Sequence, residues 1–293
     1  MRLALIALAG ITLTFAVAWL GGTIAAWPRT GSVGAFDPPA ETLTLRSRDG
    51  TAIAATHWPG ATPDGPAVLL LHGINNDRRS LAGHAEWLNE LGYGVLAIDF
   101  RGHGESGAAE RTFGWREADD AAAALAWMRR GRPHRAAGVI GVSLGGAAAL
   151  IGRDGPLPVQ AMVLHAVYPD IRTAVRNRLE RSGSTALAWL GEPLLSFQSH
   201  LRYGIAPDRI APAAAIRDYP GAVLVIGGRE DRDTRVADTL ALHAAAPGEK
   251  QLWLLPGLGH VETSTLWTDA YRARIAAFFA RHLGVPEAST PGR

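Results

Sequence analysis

The sequence of 293 residues contains no cysteine. This absence excludes disulfide scaffolds, thiolate zinc sites and cysteine nucleophiles, and cysteine usage therefore says nothing about the compartment. Lysine is almost absent too: Lys250 is the only lysine among 29 basic residues, and because glutamine follows it, the chain has no Walker phosphate-binding motif. A net charge of +2 over this length predicts no nucleic-acid partner. With no HExxH motif and no carboxylate cluster at metal spacing, we expect neither a metal nor a cofactor.

Charged residues are absent between Arg2 and Arg29. As a helix, this uncharged run would extend ~39 Å, which exceeds the ~30 Å hydrocarbon core of a membrane. Two tryptophans lie toward its far end, where interfacial aromatic residues often occur. Residues 1–28 are therefore predicted to form a single-pass transmembrane anchor, which contacts the membrane through residues 3–27. Arg2 favours placing the rest of the chain on the outer or periplasmic side, although Arg29 opposes that assignment.

The same segment has a second interpretation, a cleaved signal peptide. Residues 16–18 (Ala-Val-Ala) have the small-x-small form of a cleavage site, and an apolar region precedes them at residues 3–15. Cleavage there would yield a secreted protein. The apolar run continues well beyond Ala18, which favours the anchor, but the sequence leaves both interpretations open.

Residues 29–40 are rich in glycine and proline and predict a short linker. Two β-rich runs follow, separated by Asp-Gly, which predicts a hairpin. Short apolar runs then alternate with helical stretches, a pattern typical of a mostly parallel sheet with helices on both faces. The eight predicted strands are 41–47, 51–58, 67–71, 94–100, 137–142, 159–166, 221–227 and 250–255, and the predicted helices are 80–91, 116–130, 144–152, 234–246 and 264–283.

One interval interrupts this alternation. Residues 167–220 separate two predicted strands by far more than an ordinary strand-to-strand connection needs. Helical stretches at 169–182 and 185–202, followed by a proline-rich return, predict a small helical lid over one end of the sheet. The apolar side chains of its second helix are expected to pack on the sheet, with an acyl-binding wall as the alternative. The predicted organisation is one α/β domain at 41–284 that contains this lid, followed by a tail at 285–293.

Residues 141–145 read Gly-Val-Ser-Leu-Gly between a predicted strand and a predicted helix. This is the context of a nucleophile elbow, in which glycines two residues before and after the serine let the backbone turn without Cβ clashes. The serine hydroxyl would then stand at the carboxyl end of the sheet, beside a helix N-terminus that favours developing negative charge. Ser143 is therefore the candidate nucleophile.

A nucleophilic serine needs a base, and the base needs a carboxylate that orients it. Candidates for both follow the serine, just past the ends of two predicted strands at 221–227 and 250–255. His260 lies in a glycine-flanked loop, where a role in core packing is hard to assign, and it is the candidate base. Asp231 is the preferred acid, but Glu230 and Asp233 flank it in a charged run, and Asp233 in particular stays open as the alternative.

An oxyanion hole needs two backbone N–H groups aimed at one oxygen. One is expected from Leu144, the residue after the nucleophile. The other is expected from Ile74, because Gly73 lets the loop after the strand at 67–71 approach the serine closely. His72 in the same loop is assigned a structural role rather than a catalytic one.

Residues 102–107 fit the dinucleotide-binding pattern GxGxxG after a strand. That fingerprint requires a helix that begins on the glycines, and the next predicted helix begins near residue 116. We therefore interpret the segment as a chain reversal beside the site, and we expect no dinucleotide cofactor.

Together these motifs resemble the α/β-hydrolase superfamily, in particular the bacterial, often membrane-anchored group of serine aminopeptidase-like and lysophospholipase-like hydrolases. The matching stretches are residues 70–73, 99–106, 141–146, 228–231 and 257–260, and the resemblance covers roughly residues 41–283. It implies an α/β-hydrolase fold and a triad of Ser143, Asp231 and His260. The sequence departs from the family pattern after Asp231, where Arg-Asp-Thr-Arg replaces an apolar residue and a proline, and Asp233 therefore stays open.

The resulting hypothesis is a serine hydrolase that cleaves carboxylic esters or related acyl compounds, thioesters and amides included, through an acyl-enzyme. An acyltransferase with the same triad and a catalytically silent binding protein are the alternatives, since the fold itself does not select the reaction. The apolar lid and the adjacent membrane segment favour a small-molecule acyl substrate of lipid-like character.

Overall fold

The computed structural model describes residues 1–260 and 267–286. The strands in these residues are β1 (Arg29–Thr30), β2 (Glu41–Arg46), β3 (Ala52–Trp58), β4 (Ala67–Leu71), β5 (Gly94–Ile98), β6 (His103–Gly104), β7 (Ala137–Val142), β8 (Ala161–His165), β9 (Ala222–Gly228) and β10 (Lys250–Leu255). The helices are α1 (Arg2–Ala26), α2 (Ala82–Glu90), α3 (Glu117–Met128), α4 (Leu144–Leu150), α5 (Ile171–Ser182), α6 (Thr185–Ser196), α7 (Gln198–Tyr203), α8 (Pro212–Ala215), α9 (Val236–Ala245) and α10 (Asp269–Leu283).

An eight-stranded sheet forms the centre of the molecule, in the order β10-β9-β8-β7-β4-β5-β3-β2. The hairpin of β2 and β3 is antiparallel and pairs antiparallel with β5, whereas the remaining neighbours are parallel. The central strands are buried on both faces, which is why they are continuous apolar runs in the sequence. The predicted architecture, a mostly parallel sheet of eight strands, is confirmed.

Helices cover both faces of this sheet. Successive residues of β4 point to opposite faces: Leu69 and Leu71 pack in the core beneath α3, α4 and α9, and Val68 and Leu70 pack beneath α2 and α10. The predicted ranges of β4, β7 and β10 coincide with the observed ones, and the other elements differ by a few residues at their ends. Two predictions fall partly outside the described residues: the first three residues of the helix predicted at 264–283, and most of the predicted tail.

The interval between β8 and β9 holds the lid, which we define as helices α5, α6 and α7. The sequence predicted one helix across 185–202, and the structure divides it into α6 and α7 at Phe197. The side-chain amide of Gln198 donates to the carbonyl of Leu194 at 2.9 Å. This carbonyl is the oxygen that the backbone N–H of Gln198 would bond in a continuous helix, and the side chain takes its place.

Helix α1 is uninterrupted over 25 residues. Among the described residues it is the one helix long and apolar enough to cross a membrane, with a mean hydropathy of 2.3. Residues 2–17 are exposed along their whole length, whereas Ala26 at the far end is buried. Directly after α1, β1 pairs in parallel with β6. The segment predicted as a linker therefore begins with residues that are bonded to the α/β domain.

Candidate active site

Ser143 lies at the sharp turn between β7 and α4, with φ +50° and ψ −109°. A residue other than glycine at such a φ costs about 1–3 kcal/mol and persists where its surroundings enforce it. Close packing enforces it here: a Cβ at Gly145 would collide with the carbonyl oxygen of Leu71, and a Cβ at Gly141 would collide with the backbone of α4. The N–H of Ser143 also donates to the carbonyl of His165 at 2.8 Å. The glycine spacing of the motif thus allows the turn that exposes the serine.

His260 and Asp231 form a hydrogen-bonded pair, with Nδ1 of the histidine 2.9 Å from Oδ2 of the carboxylate. The other oxygen of Asp231 accepts the backbone N–H groups of Asp233 and Thr234, each at 2.8 Å. Since an ionised carboxylate only accepts hydrogen bonds, Nδ1 of His260 carries the proton in this pair. The neutral ring then has its lone pair on Nε2, which is the form that a general base needs.

Asp233, the alternative acid, faces the lid instead. Its two carboxylate oxygens lie 3.4 Å from Arg178 and 3.0 Å from Arg181, both on α5. The sequence could not choose between the two aspartates because they are two residues apart in one charged loop. The arginines that engage Asp233 come from an element some fifty residues earlier in the chain. The geometry therefore favours Asp231 as the partner of His260.

Asp231, Asp233 and His260 also place one potential metal-ligand atom each within 4.8 Å of one another. These atoms already have protein partners, since Asp231 holds His260 and the two backbone N–H groups, and Asp233 faces two arginines. Two guanidinium groups beside Asp233 also oppose the approach of a cation. The arrangement fits an acid–base pair better than a metal site.

Ile74 and Leu144, the predicted oxyanion donors, line the same cavity as Ser143. The loop that carries Ile74 passes close to the serine, because a Cβ at Gly73 would lie 3.8 Å from the Cβ of Ser143. Asn75, the next residue of this loop, has a φ of +64° and accepts a hydrogen bond from Nη1 of a buried arginine at 2.7 Å. The loop is thus held beside Ser143.

His72 supports this loop through a hydrogen bond from its imidazole ring to the loop backbone. Its Nε2 accepts the backbone N–H of Phe100 at 3.0 Å, so that its Nδ1 donates to the carbonyl of Gly73 at 2.7 Å. Complete burial lowers the pKa of His72 to about 4, and the ring is therefore neutral at physiological pH. These contacts agree with the structural role that we assigned to His72 from the sequence.

The segment with the GxGxxG pattern is a tight chain reversal, and α3 begins only at Glu117. Asp99 accepts the backbone N–H groups of Arg78 and Glu105 and pairs with the guanidinium of Arg78. Arg101 pairs with Asp120 at 2.6 Å, and both side chains are buried. Buried charges of this kind need such partners. The segment is thus a chain reversal, the form predicted from the sequence, and its buried ion pairs hold neighbouring loops together.

A cavity of about 400 Å³ joins these groups. Ser143, Ile74, Leu144 and His260 line it together with residues of the lid and of α1. Its surface is mostly apolar, and the apolar lid residues on it include Ile171, Val175, Leu179 and Leu195. The candidate nucleophile and base therefore face one apolar space that is large enough for an acyl group.

Sequence reasoning missed the contribution of α1 to this cavity. A signal was present, since Ala18, Gly22 and Ala26 follow the small-xxx-small spacing by which membrane helices pack closely on a neighbour. It also missed Arg111, whose Nη2 donates to the carbonyl of Ala25 and whose Nη1 donates to Asn75, both at 2.7 Å. No periodicity or motif in the sequence distinguishes Arg111 from the other arginines.

A sequence model of the protein family described as "Serine aminopeptidase, S33" matches residues 63–206. The matched range includes Ser143, Ile74 and Leu144, and it ends before the loops of Asp231 and His260. The match therefore covers one half of the candidate site, the nucleophile elbow and the oxyanion loop.

Curated relatives match over most of their length. Rv2307c of Mycobacterium tuberculosis is 30% identical over 233 residues, which cover 78% of this chain and 75% of that protein. YqkD of Bacillus subtilis is 26% identical over 225 residues (75% and 72%), and YfhR of Escherichia coli is 24% identical over 249 residues (82% and 80%). All three are described as uncharacterized proteins, so that the similarity to them supports membership of a common family and indicates no particular activity.

Solved structures share the fold. The esterase Pf2001 of Pyrococcus furiosus superposes with a TM-score of 0.68 at 21% identity, over 88% of this chain and 99% of that one. The α/β hydrolase GrgF of Penicillium sp. gives a TM-score of 0.63 at 18% identity, over 84% and 99%. The α/β-hydrolase fold predicted from the sequence is thereby confirmed.

Proposed function

This chain belongs to the serine aminopeptidase S33 family of α/β hydrolases, and we propose that it is a serine hydrolase that cleaves carboxylic esters or related acyl compounds. One observation carries the proposal: two separate groups of residues, one around Ser143 and one around His260, face the same cavity. Ser143 stands on a strained turn, and His260 is bonded to the buried Asp231 at 2.9 Å. Both arrangements are those of a Ser-His-Asp triad.

In the proposed reaction, Oγ of Ser143 attacks the substrate carbonyl while Nε2 of His260 takes the hydroxyl proton. Asp231 keeps the imidazole in the required tautomer and stabilises the imidazolium that forms. The N–H groups of Ile74 and Leu144 stabilise the negative oxygen of the tetrahedral intermediate. The histidine proton then passes to the leaving group, and water, activated by the same histidine, cleaves the acyl-enzyme to release the acid.

Replacement of the nucleophile tests this proposal. We expect Ser143→Ala to abolish fluorophosphonate labelling and to lower 4-methylumbelliferyl acetate turnover by about 10³-fold or more. Ser182→Ala is the matched control, since this exposed lid serine only donates to the carbonyl of Arg178. Labelling that persists in Ser143→Ala would contradict the assignment, as would a folded wild-type protein that the probe never labels.

We further propose that α1 anchors the hydrolase in a membrane, with the catalytic domain on the outer or periplasmic side. Signal-peptide cleavage after Ala18 would cut the helix inside the part that packs on the lid, because the carbonyl of Ala18 accepts Nε2 of Gln198 at 2.8 Å. We expect the intact chain to stay in membranes washed with alkaline carbonate and to show its full mass. A soluble product that begins after Ala18 would contradict the anchor, and protease accessibility in sealed vesicles tests the side.

A further inference from the structure

Helix α1 forms one wall of the cavity that holds Ser143. Gly21, Gly22, Ile24 and Ala25 line this wall, and lid residues line the same cavity. A helix that only attached the protein to a membrane would not need to approach the nucleophile. The same stretch of chain therefore has the composition of a membrane span and the position of a substrate-binding surface.

Specific contacts hold α1 in this position. Nη2 of Arg202 donates to the carbonyl of Trp19 at 2.8 Å and to Oγ1 of Thr23 at 2.7 Å, and its guanidinium lies 3.9 Å from the centre of the Trp19 ring. At Gly22 the approach is so close that a Cβ would collide with the side-chain amide of Gln198. The residues from Ala18 to Ala26 are thus docked on the lid and the domain.

The length of α1 determines where the docked part lies relative to a membrane that the helix spans. The apolar run is bounded by Arg2, and its undocked part, residues 3–17, extends ~22 Å at 1.5 Å per residue. The hydrocarbon core of a membrane is ~30 Å thick. A helix that crosses the core must therefore use part of its docked residues to do so. This places the adjoining lid at the level of the bilayer boundary.

The lid surface fits this environment. Large apolar side chains of α6, α7 and the junction between them are at least half exposed. They are Leu187, Trp189, Leu190, Phe197 and Leu201. Five such side chains on neighbouring helices are unusual for a water-exposed surface. Arginines accompany them, and the guanidinium of Arg176 lies 4.2 Å from the centre of the Trp189 ring. Apolar side chains with flanking arginines are typical of a surface that meets acyl chains and anionic headgroups.

We propose that the substrates are acyl lipids that reside in the bilayer, and that their acyl chains enter the cavity of Ser143 along the wall that Gly21 and Ile24 of α1 contribute, without passing through water. This inference rests on the proposed hydrolase function and adds the substrate class and the route. The wall at Gly21 and Ile24 is then a determinant of specificity. An apolar chain that moves from the membrane into an apolar cavity avoids the free-energy cost of exposing its CH₂ groups to water.

Two glycines of α1 allow a matched test. Gly21 lines the cavity, and a Cβ there would lie 3.8 Å from Leu195, so that Gly21→Leu would narrow the cavity; a Cβ at Gly10 would meet nothing within 4 Å. The full chain is reconstituted in phosphatidylcholine vesicles that contain 4-methylumbelliferyl oleate, and 4-methylumbelliferyl acetate is supplied in solution. We expect Gly21→Leu to lower the ratio of oleate to acetate turnover by about tenfold, and Gly10→Leu to leave it unchanged. Ile24→Trp, on the same wall, should lower this ratio as Gly21→Leu does.

Fluorophosphonate labelling of each variant verifies a folded site. Equal ratios in Gly21→Leu, Ile24→Trp and Gly10→Leu would overturn the inference, as would a wild-type protein that hydrolyses acetate but not the vesicle-borne oleate. Either result would leave the proposed hydrolase function intact. Absence of both labelling and acetate turnover in the wild-type protein would instead refute the hydrolase function itself.

Discussion

The backbone at Ser143 shows how much a few residues determine. The glycines on either side are required by contacts with Leu71 and with α4, and the motif predicted both the turn and the position of the serine. The sequence did not determine the candidate acid in the same way. Asp231 and Asp233 have the same chemistry and nearly the same position in the sequence. Only the folded chain shows that one is bonded to His260 and that the other faces Arg178 and Arg181.

The two aspartates should respond differently to the same substitution. We expect Asp231→Asn to lower kcat by about 10³–10⁴-fold, because an amide at this position favours the wrong tautomer of His260. Asp233→Asn should change kcat by less than about tenfold, since it removes ion pairs that are partly exposed to solvent. The measurement is steady-state hydrolysis of 4-methylumbelliferyl acetate. A loss in Asp233→Asn as large as that in Asp231→Asn would reverse the assignment of the acid.

Most secondary-structure elements could be predicted from the sequence, because strands buried on both faces are continuous apolar runs with breaks at glycine and proline. The elements that were not predicted depend on long-range contacts. The division between α6 and α7 coincides with a side-chain hydrogen bond of Gln198 and lies close to Pro193, and β1 pairs with residues 103–104. The docking of α1 depends on lid residues about 180 positions away.

Two truncations should separate the docked part of α1 from the rest. Deletion of residues 2–17 removes only exposed helix, and we expect an unchanged Tm in detergent. Deletion of residues 2–27 removes the carbonyl groups of Ala25 and Ala26, which accept Nη2 and the backbone N–H of Arg111. Lost hydrogen bonds of about 1 kcal/mol each should lower Tm by about 5 °C. Thermal unfolding followed by circular dichroism provides the comparison, and equal Tm values would show that docking contributes nothing.

The molecule as a whole buries four histidines in neutral form. Burial lowers the pKa of His72, His84 and His103 to about 4 and that of His165 to about 3. In the unfolded chain these groups titrate near 6.5, so that the unfolded state binds more protons between these values. Their contribution to stability is complete above about pH 6.5 and is lost as the pH falls toward about 4.

We therefore expect the free energy of unfolding to fall between about pH 7 and pH 5, with a contribution of up to about 2 kcal/mol from a single histidine such as His84. Urea unfolding at the two pH values measures this change. His84→Gln should reduce the difference, because it removes one of these groups and leaves a polar side chain near Tyr271. His134→Gln, at an exposed position, is the control. A difference that is the same in His84→Gln as in the wild type would contradict the explanation.

The lid joins two distant parts of the molecule. Its α7 end holds α1 through Arg202 and Gln198, and its α5 end holds the acid loop through Arg181 and Asp233. Within the lid, the buried Glu192 of α6 pairs with two arginines of α5, so that ion pairs connect the two helices. A continuous series of contacts thereby connects α1 with a loop position two residues from Asp231. Because a helix that spans a membrane adjusts to the bilayer thickness partly by tilting, the proposed anchor would make the thickness of the bilayer a variable in the alignment of the candidate acid.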